Sequence, residues 1–306
     1  MIDTSPLNRR KFAQVTGCAF AGGLFNATSV GQPVRARSLA GAIGITTGGL
    51  NHQRENKILN VMNLPEFVRD ELGMQLIDLN TRWLESFDRE MMERVRRNAE
   101  KAGCFFTNLK VNHDFGNLYA REAPDREKAM ANACQLVEAA KTLGARWIRF
   151  NFPKFAAVEK PESLEAHRAV ARFAESKGVQ LVVENGGWMK SDPESIVRLV
   201  RAIGRNAAPG PDTGNWNDDA RYEGLRKSFP GAVTCDFKVY DLDAQNRHTR
   251  YDIKRCFDVG WKAGFRGPWA IEHWNTDNKA FARETRFLRD QLVEWMKESR
   301  ASSPDR

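Results

Sequence analysis

An α/β barrel of eight parallel strands, each followed by a helix and all in a single domain, is the fold this sequence predicts. Three observations predict it. Eight short apolar runs alternate with amphipathic helical stretches across residues 38–298, the pattern of a parallel sheet with right-handed crossovers. Eight such runs favour closure into a (β/α)8 TIM barrel over an open doubly wound sheet. Four runs in the second half end at or beside a carboxylate: LVVEN at Glu184, PDTGN at Asp212, TCDFK at Asp236 and WAIEH at Glu272. In a barrel all strands end on one rim, so these acids converge there from distant points in sequence. The 306 residues suffice for one large core.

Residues 1–37 read as an export signal. Arg9-Arg10-Lys11-Phe12 forms a twin-arginine pattern, a weakly apolar stretch runs from Ala13 to Val30, and Val34-Arg35-Ala36 offers a small-residue cleavage site. Export to the periplasm or medium is the expectation. Val15-Thr16-Gly17-Cys18 also has the form of a lipoprotein box, which would leave Cys18 as an anchor. No later apolar run is long enough to span a bilayer, so no stable membrane insertion is expected once the signal is cleaved.

The strands are expected near Ala42–Ile45, Gln75–Leu79, Phe105–Lys110, Trp147–Phe152, Gln180–Glu184, Ala207–Asp212, Val233–Phe237 and Trp269–Glu272. Between them, Asp88–Gly103 carries Met91, Met92, Val95 and Ala99 on one helical face. Asp125–Gly144 repeats this with Ala129, Ala133, Leu136, Val137 and Ala140. Pro161–Gly178 and Asp192–Gly204 open on helix-starting residues and end in glycine. Tyr251–Gly264 is a further helix, and the polar residues 299–306 are a frayed tail. No Gly-x-Gly-x-x-Gly turn follows the first strand, which argues against dinucleotide binding.

The net charge is +8. Four of those charges lie in residues 1–37, and the remainder holds 42 Lys and Arg against 38 Asp and Glu. No dense basic run remains, so no nucleic-acid partner is implied. Outside the signal, Cys104, Cys134, Cys235 and Cys256 form no Cys-x-x-Cys pair and read as buried free thiols.

The chain resembles the xylose-isomerase-like sugar phosphate isomerases and epimerases over residues 40–295. The resemblance rests on Ala140-x-x-Leu143-Gly144-Ala145-x-x-Ile148-Arg149-x-Asn151, on Val183-Glu184-Asn185-Gly186-Gly187 with Asp192-Pro193-Glu194, on Pro211-Asp212-x-Gly214-Asn215, and on Gly264-Phe265-Arg266-Gly267 before Ala270-Ile271-Glu272. It implies a divalent-metal site built from Glu184, Asp212, the strand-seven position and Glu272. The family's strand-seven histidine is replaced by Asp236, and its strand-five histidine is absent, since Gly186 follows Asn185. An all-carboxylate set suits Mn²⁺ or Mg²⁺ better than zinc.

The expected chemistry is sugar isomerisation or epimerisation through an enediolate, with Glu184 and Glu272 as base and acid. Lys238 shares a strand face with Asp236; it stabilises the enediolate or pairs with one of the acids. Arg149 and Asn151 share a face of strand four; they hold substrate oxygens, or Arg149 forms a structural pair. His113, Asn215 and Trp188 complete the expected substrate contacts, with His273 a further rim candidate. Trp83, Trp216 and Trp274 also fall just past strand ends, as walls for a sugar ring or as ordinary packing. His167 reads as a helix-surface residue. The partner is a small carbohydrate, and homo-oligomer formation stays open. The competing readings are a lyase acting on keto-glycosides with the same site, a non-catalytic carbohydrate-binding barrel, and a phosphodiesterase like the endonuclease IV branch, which would need more histidine than the five present.

Overall fold

The computed structural model describes residues 38–118, 120, 122–151 and 161–302. The segment expected to be an export signal, with the twin-arginine pair and Cys18, lies outside these residues. All eight strands form: β1 Ile43–Thr46, β2 Leu76–Asn80, β3 Phe105–Val111, β4 Trp147–Phe150, β5 Gln180–Val183, β6 Ala207–Pro209, β7 Cys235–Val239 and β8 Trp269–His273. Every ladder is parallel, in the order β6-β5-β4-β3-β2-β1-β8-β7.

The two ends of that order meet at β6 and β7. Val233 N–H donates to Pro209 O at 3.0 Å and Asp236 N–H to Pro211 O at 3.0 Å, while Thr213 N–H donates to Asp236 O at 2.9 Å. An isolated parallel bridge pairs Asp212 with Asp236. These bonds close the (β/α)8 barrel. β6 is shorter than the expected Ala207–Asp212 because Pro209 and Pro211 have no N–H to donate. The buried Asn185 amide spans the gap instead: its Oδ1 accepts from Asp212 N–H at 2.8 Å and its Nδ2 donates to Asp212 O at 3.1 Å.

The helices form where amphipathic spacing places them. In Arg89–Lys101 the buried residues are Met91, Met92, Val95 and Ala99, and Asp88 Oδ1 caps the first turn by accepting from Met91 N–H at 2.8 Å. Ala123–Leu143 buries Ala129, Ala133, Leu136, Val137 and Ala140, and ends at Gly144 with φ +82°, a left-handed conformation that favours glycine. His167 is buried rather than at the surface: it falls on the stripe 167, 170, 171, 174 that faces the sheet in the helix Pro161–Ser176. Among the described residues, four α-helices have no counterpart in the sequence expectation: Asn51–Glu55, Leu64–Asp70, Arg221–Ser228 and Asn278–Ala301. The last runs past Ser299 and buries Phe281, Thr285, Leu288, Leu292 and Met296. Cys104, Cys235 and Cys256 are buried free thiols, and Cys134 is half-buried. Among the described residues no helix is long and apolar enough to cross a membrane.

Strand alternation divides the two layers. Ile45, Ile77, Leu79, Leu109, Ile148, Val183, Phe237 and Ile271 face outward and join the helices in one apolar core. The inward residues Asn80, Lys110, Arg149, Asp236, Lys238 and Glu272 line a cavity at the carboxyl ends of the strands.

Candidate active site

Each charged side chain at the barrel mouth is positioned by its strand. Glu184 follows β5, Asp212 sits on the β6–β7 seam, Asp236 and Lys238 lie two apart on β7, Glu272 is on β8, Lys110 on β3 and Arg149 on β4. All of these but Asp212 line a cavity of about 320 Å³, and nearly all its walls are polar. That is near the small end of ligand cavities, roughly 300–1,000 Å³, and suits a small polyhydroxylated molecule.

The four acids and three cations interlock. Lys110 Nζ lies 3.2 Å from Glu184 Oε2 and in close contact with Asp236 Oδ2. Arg149 Nε donates to Glu184 Oε2 at 3.1 Å, and its Nη1 donates to Asn112 Oδ1 at 2.6 Å and to Asn151 Oδ1. Lys238 Nζ lies 2.5 Å from Asp212 Oδ2 and 3.2 Å from Glu272 Oε2, and donates to Asn215 Oδ1 at 2.7 Å. Burial raises Glu184, but Arg149 and Lys110 outweigh it and hold its carboxyl at about 2. Burial lifts Asp212 to about 6 against the pull of Lys238. It drives Asp236 well up as well, although Lys110 opposes. Lys110 remains charged, because Asp236 and Glu184 overcome the burial that opposes its charge. Four carboxylates against three cations leave one surplus negative charge, which favours a proton shared within the cluster.

Oxygens of Glu184, Asp212 and Asp236 lie within 4.8 Å of one another, close enough to hold one cation. Asp212 is built for this. Its Oδ1 accepts from Gly214 N–H at 2.8 Å and Asn215 N–H at 3.1 Å. Its buried Oδ2 accepts no hydrogen bond, the contact with Lys238 being an ion pair without hydrogen-bond geometry. An oxygen-only donor set fits a hard divalent ion, which would compete with two ammonium groups for the same oxygens. Glu272, expected as a fourth ligand, is outside this group and pairs with Lys238.

The other expected contacts divide. Arg149 and Asn151 line the cavity, and Asn215 lines an adjoining one. His113 lines neither: its Nδ1 meets Thr81 Oγ1 at 2.8 Å and its ring stacks on Phe87. Trp188 is half-buried against the core and also lines neither. His273 points outward from β8, with Nδ1 3.0 Å from Val239 O and Nε2 2.8 Å from Glu284 Oε2, and so is structural. Trp83 and Trp216 are buried in the core. Trp274 stacks on Tyr240, with Lys238 Nζ 5.5 Å from its ring.

Sequence reasoning missed Lys110, which lies near the end of β3. It did not single out Gly48-Gly49, which follow β1 at the mouth. A Cβ on Gly49 would lie 2.0 Å from the backbone oxygen of His273, and one on Gly48 would lie 2.5 Å from Glu272 Oε1. Backbone cannot yield as a side-chain tip can. Gly49→Ala is therefore expected to cost about 3 kcal/mol or more, and Gly48→Ala about 1 kcal/mol or less. Urea denaturation of both variants checks this, and equal losses would show the contact with His273 to be soft.

A closed barrel whose strand ends ring a charged cavity is the arrangement in which TIM-barrel enzymes carry their active sites. The chain belongs to the xylose isomerase-like TIM barrel family, whose profile matches residues 70–291. Similar solved structures include an L-ribulose 3-epimerase (TM-score 0.66, 15% identity, covering 86% of this chain and 98% of that one). A D-psicose 3-epimerase in the presence of D-fructose has a TM-score of 0.62 at 15% identity, covering 85% and 98%. A xylose isomerase-like barrel from Mycobacterium smegmatis in complex with magnesium has a TM-score of 0.61 at 17% identity, covering 84% and 97%. At such identities the likeness is one of fold. No curated protein sequence matches the chain at a significant level.

Proposed function

We propose that this protein is a divalent-metal-dependent sugar isomerase or epimerase that removes a proton from the carbon beside a carbonyl. The observation that carries this reading is the convergence of Glu184, Asp236, Glu272, Lys238 and Arg149 on one small polar cavity, with Asp212 paired to Lys238 beside it. The ribulose and psicose epimerases that share the fold support a ketose as the substrate class. Mn²⁺ or Mg²⁺ on Glu184, Asp212 and Asp236 would supply Lewis-acid polarisation of the carbonyl.

The residues divide the remaining work. Glu184, held at about 2 by Arg149 and Lys110, is a weak base and suits the ligand role. Proton removal falls to Glu272, which among the described residues is ion-paired with Lys238. Negative charge developing on the substrate oxygen is met by Lys238 and Arg149, already fixed in place. Return of the proton by Glu272 to the neighbouring carbon gives isomerisation. Delivery of a proton from solvent to the opposite face of the original carbon, with the abstracted proton kept on Glu272 until product leaves, gives epimerisation. Solvent deuterium entering a ketose in the presence of protein and Mn²⁺ tests the reading, and no exchange with any ketose would end it.

The same carbanion has a second outcome. If the next carbon carries an O-linked substituent, the electron pair forms a C=C bond, the C–O bond breaks and the departing oxygen takes a proton. A second cavity beside the first favours this lyase reading for substituted sugars, and product analysis separates the two.

Ion binding is expected to release protons. Below about 6 the Asp212 carboxyl is protonated, and the ion binds the ionised form. Affinity for Mn²⁺ should therefore rise with pH through that region, with about one proton released per ion. Calorimetry at pH 5, where that carboxyl is almost fully protonated, in two buffers of different ionisation enthalpy measures the proton count. A count of zero would show the cluster to be fully ionised already.

A further inference from the structure

The cavity over the carboxylates does not stand alone. A second one, of about 350 Å³, adjoins it and shares Arg149, Asn151 and Glu184 as a common wall. Its far side is formed by the backbone of Gly186 and Gly187, with Met189 and Asn215. A Cβ on either glycine would meet nothing within 4 Å, so the space above this turn is open. Gly187, at φ +53°, has the backbone conformation that disfavours other residues.

We infer that the site takes a two-unit ligand: a ketose joined to a second, uncharged sugar, with the ketose over Glu184 and Glu272 and the second unit over Gly186–Gly187. This inference deepens the proposed function and rests on it. The charge distribution selects a neutral second unit. Among the described residues, the charged side chains on the second cavity are Arg149 and Glu184, which pair with each other on the shared wall. Arg149 already donates to Glu184, Asn112 and Asn151. A phosphate placed there would meet one committed guanidinium and a carboxylate, whereas anion sites gather several free donors. Open backbone with a methionine and an asparagine beside it suits the mixed polar and apolar faces of a sugar ring.

The test compares affinities in the presence of Mn²⁺ by calorimetry, with D-fructose, a set of glucosyl-fructose disaccharides differing in linkage position, and D-fructose 6-phosphate. At least one disaccharide is expected to bind about tenfold more tightly than fructose. Gly186→Leu fills the second cavity from a backbone at φ 179°, a conformation open to any residue. It should remove that tenfold gain and bring the disaccharide to the level of fructose. Gly186→Ala, adding one methyl to the same space, should remove part of it. A disaccharide gain that survives Gly186→Leu overturns the inference, as does fructose 6-phosphate binding most tightly of all. Fructose binding with no gain from any disaccharide overturns the inference alone and leaves the isomerase reading standing. Failure of every sugar to bind overturns both.

Discussion

Replacing Lys110 with methionine is expected to cost about 3–5 kcal/mol of folding stability at neutral pH, because it leaves buried carboxylates without their cation. The Lys110 side chain is 4% exposed and that of Asp236 3%, with Glu184 within reach of the same ammonium. Removing it sets Asp236 and Glu184 against each other in a site poor in water. The sign of the pH dependence follows. Burial already raises Asp236 above its ordinary value, and losing Lys110 raises it further. Protonation relieves the penalty at acid pH, so the variant's deficit grows as pH rises through the raised value. Adding Asp236→Asn should recover most of the loss, since the amide needs no counter-ion. Urea denaturation of wild type, both single variants and the double variant at pH 5 and pH 8 gives the coupling directly. A Lys110→Met protein within about 1 kcal/mol of wild type at pH 8 would mean that the pair contributes little, as exposed pairs do.

Glu272→Gln is expected to reduce solvent deuterium exchange into a ketose by about 10²–10⁴-fold, the usual worth of a positioned general base. Ion binding should survive, because Glu272 is not among the three acids whose oxygens converge. Glu184→Gln is expected to lose exchange and ion affinity together. Parallel measurement of exchange by NMR and of Mn²⁺ by calorimetry separates the two roles. If Glu272→Gln exchanged at the wild-type rate, the assignment of the base would be wrong whatever the ion did.

The strands were legible because each is a short run bounded by turn residues, and parallel strands buried on both faces need little else to declare themselves. The helix Arg89–Lys101 was legible from its apolar stripe and from Asp88 at its start. Asn278–Ala301 was not singled out, although its buried residues follow helical spacing. At the mouth, the carboxylates that end β5, β7 and β8 were visible as charges at the edge of apolar segments. Lys110 escaped because a lysine closing a strand has the same local look whether it reaches solvent or an acid across the barrel. His113 and Trp188 were placed by proximity to strand ends, and proximity does not fix direction. His273 shows why: one step along β8 from Glu272, it points outward into the helix layer.

What the sequence by itself determined is the barrel, the rim on which the acids gather, and the face shared by Asp236 with Lys238 and by Arg149 with Asn151. These follow from periodicity, which is a property of one strand. The pairing of Lys110 with Asp236, of Lys238 with Asp212 and Glu272, and the setting of Asp212 opposite Asp236 were decided by the tertiary structure alone. They depend on how β6 meets β7 and on the register of each ladder. Charges 126 residues apart, as Lys110 and Asp236 are, become neighbours only once the sheet has closed.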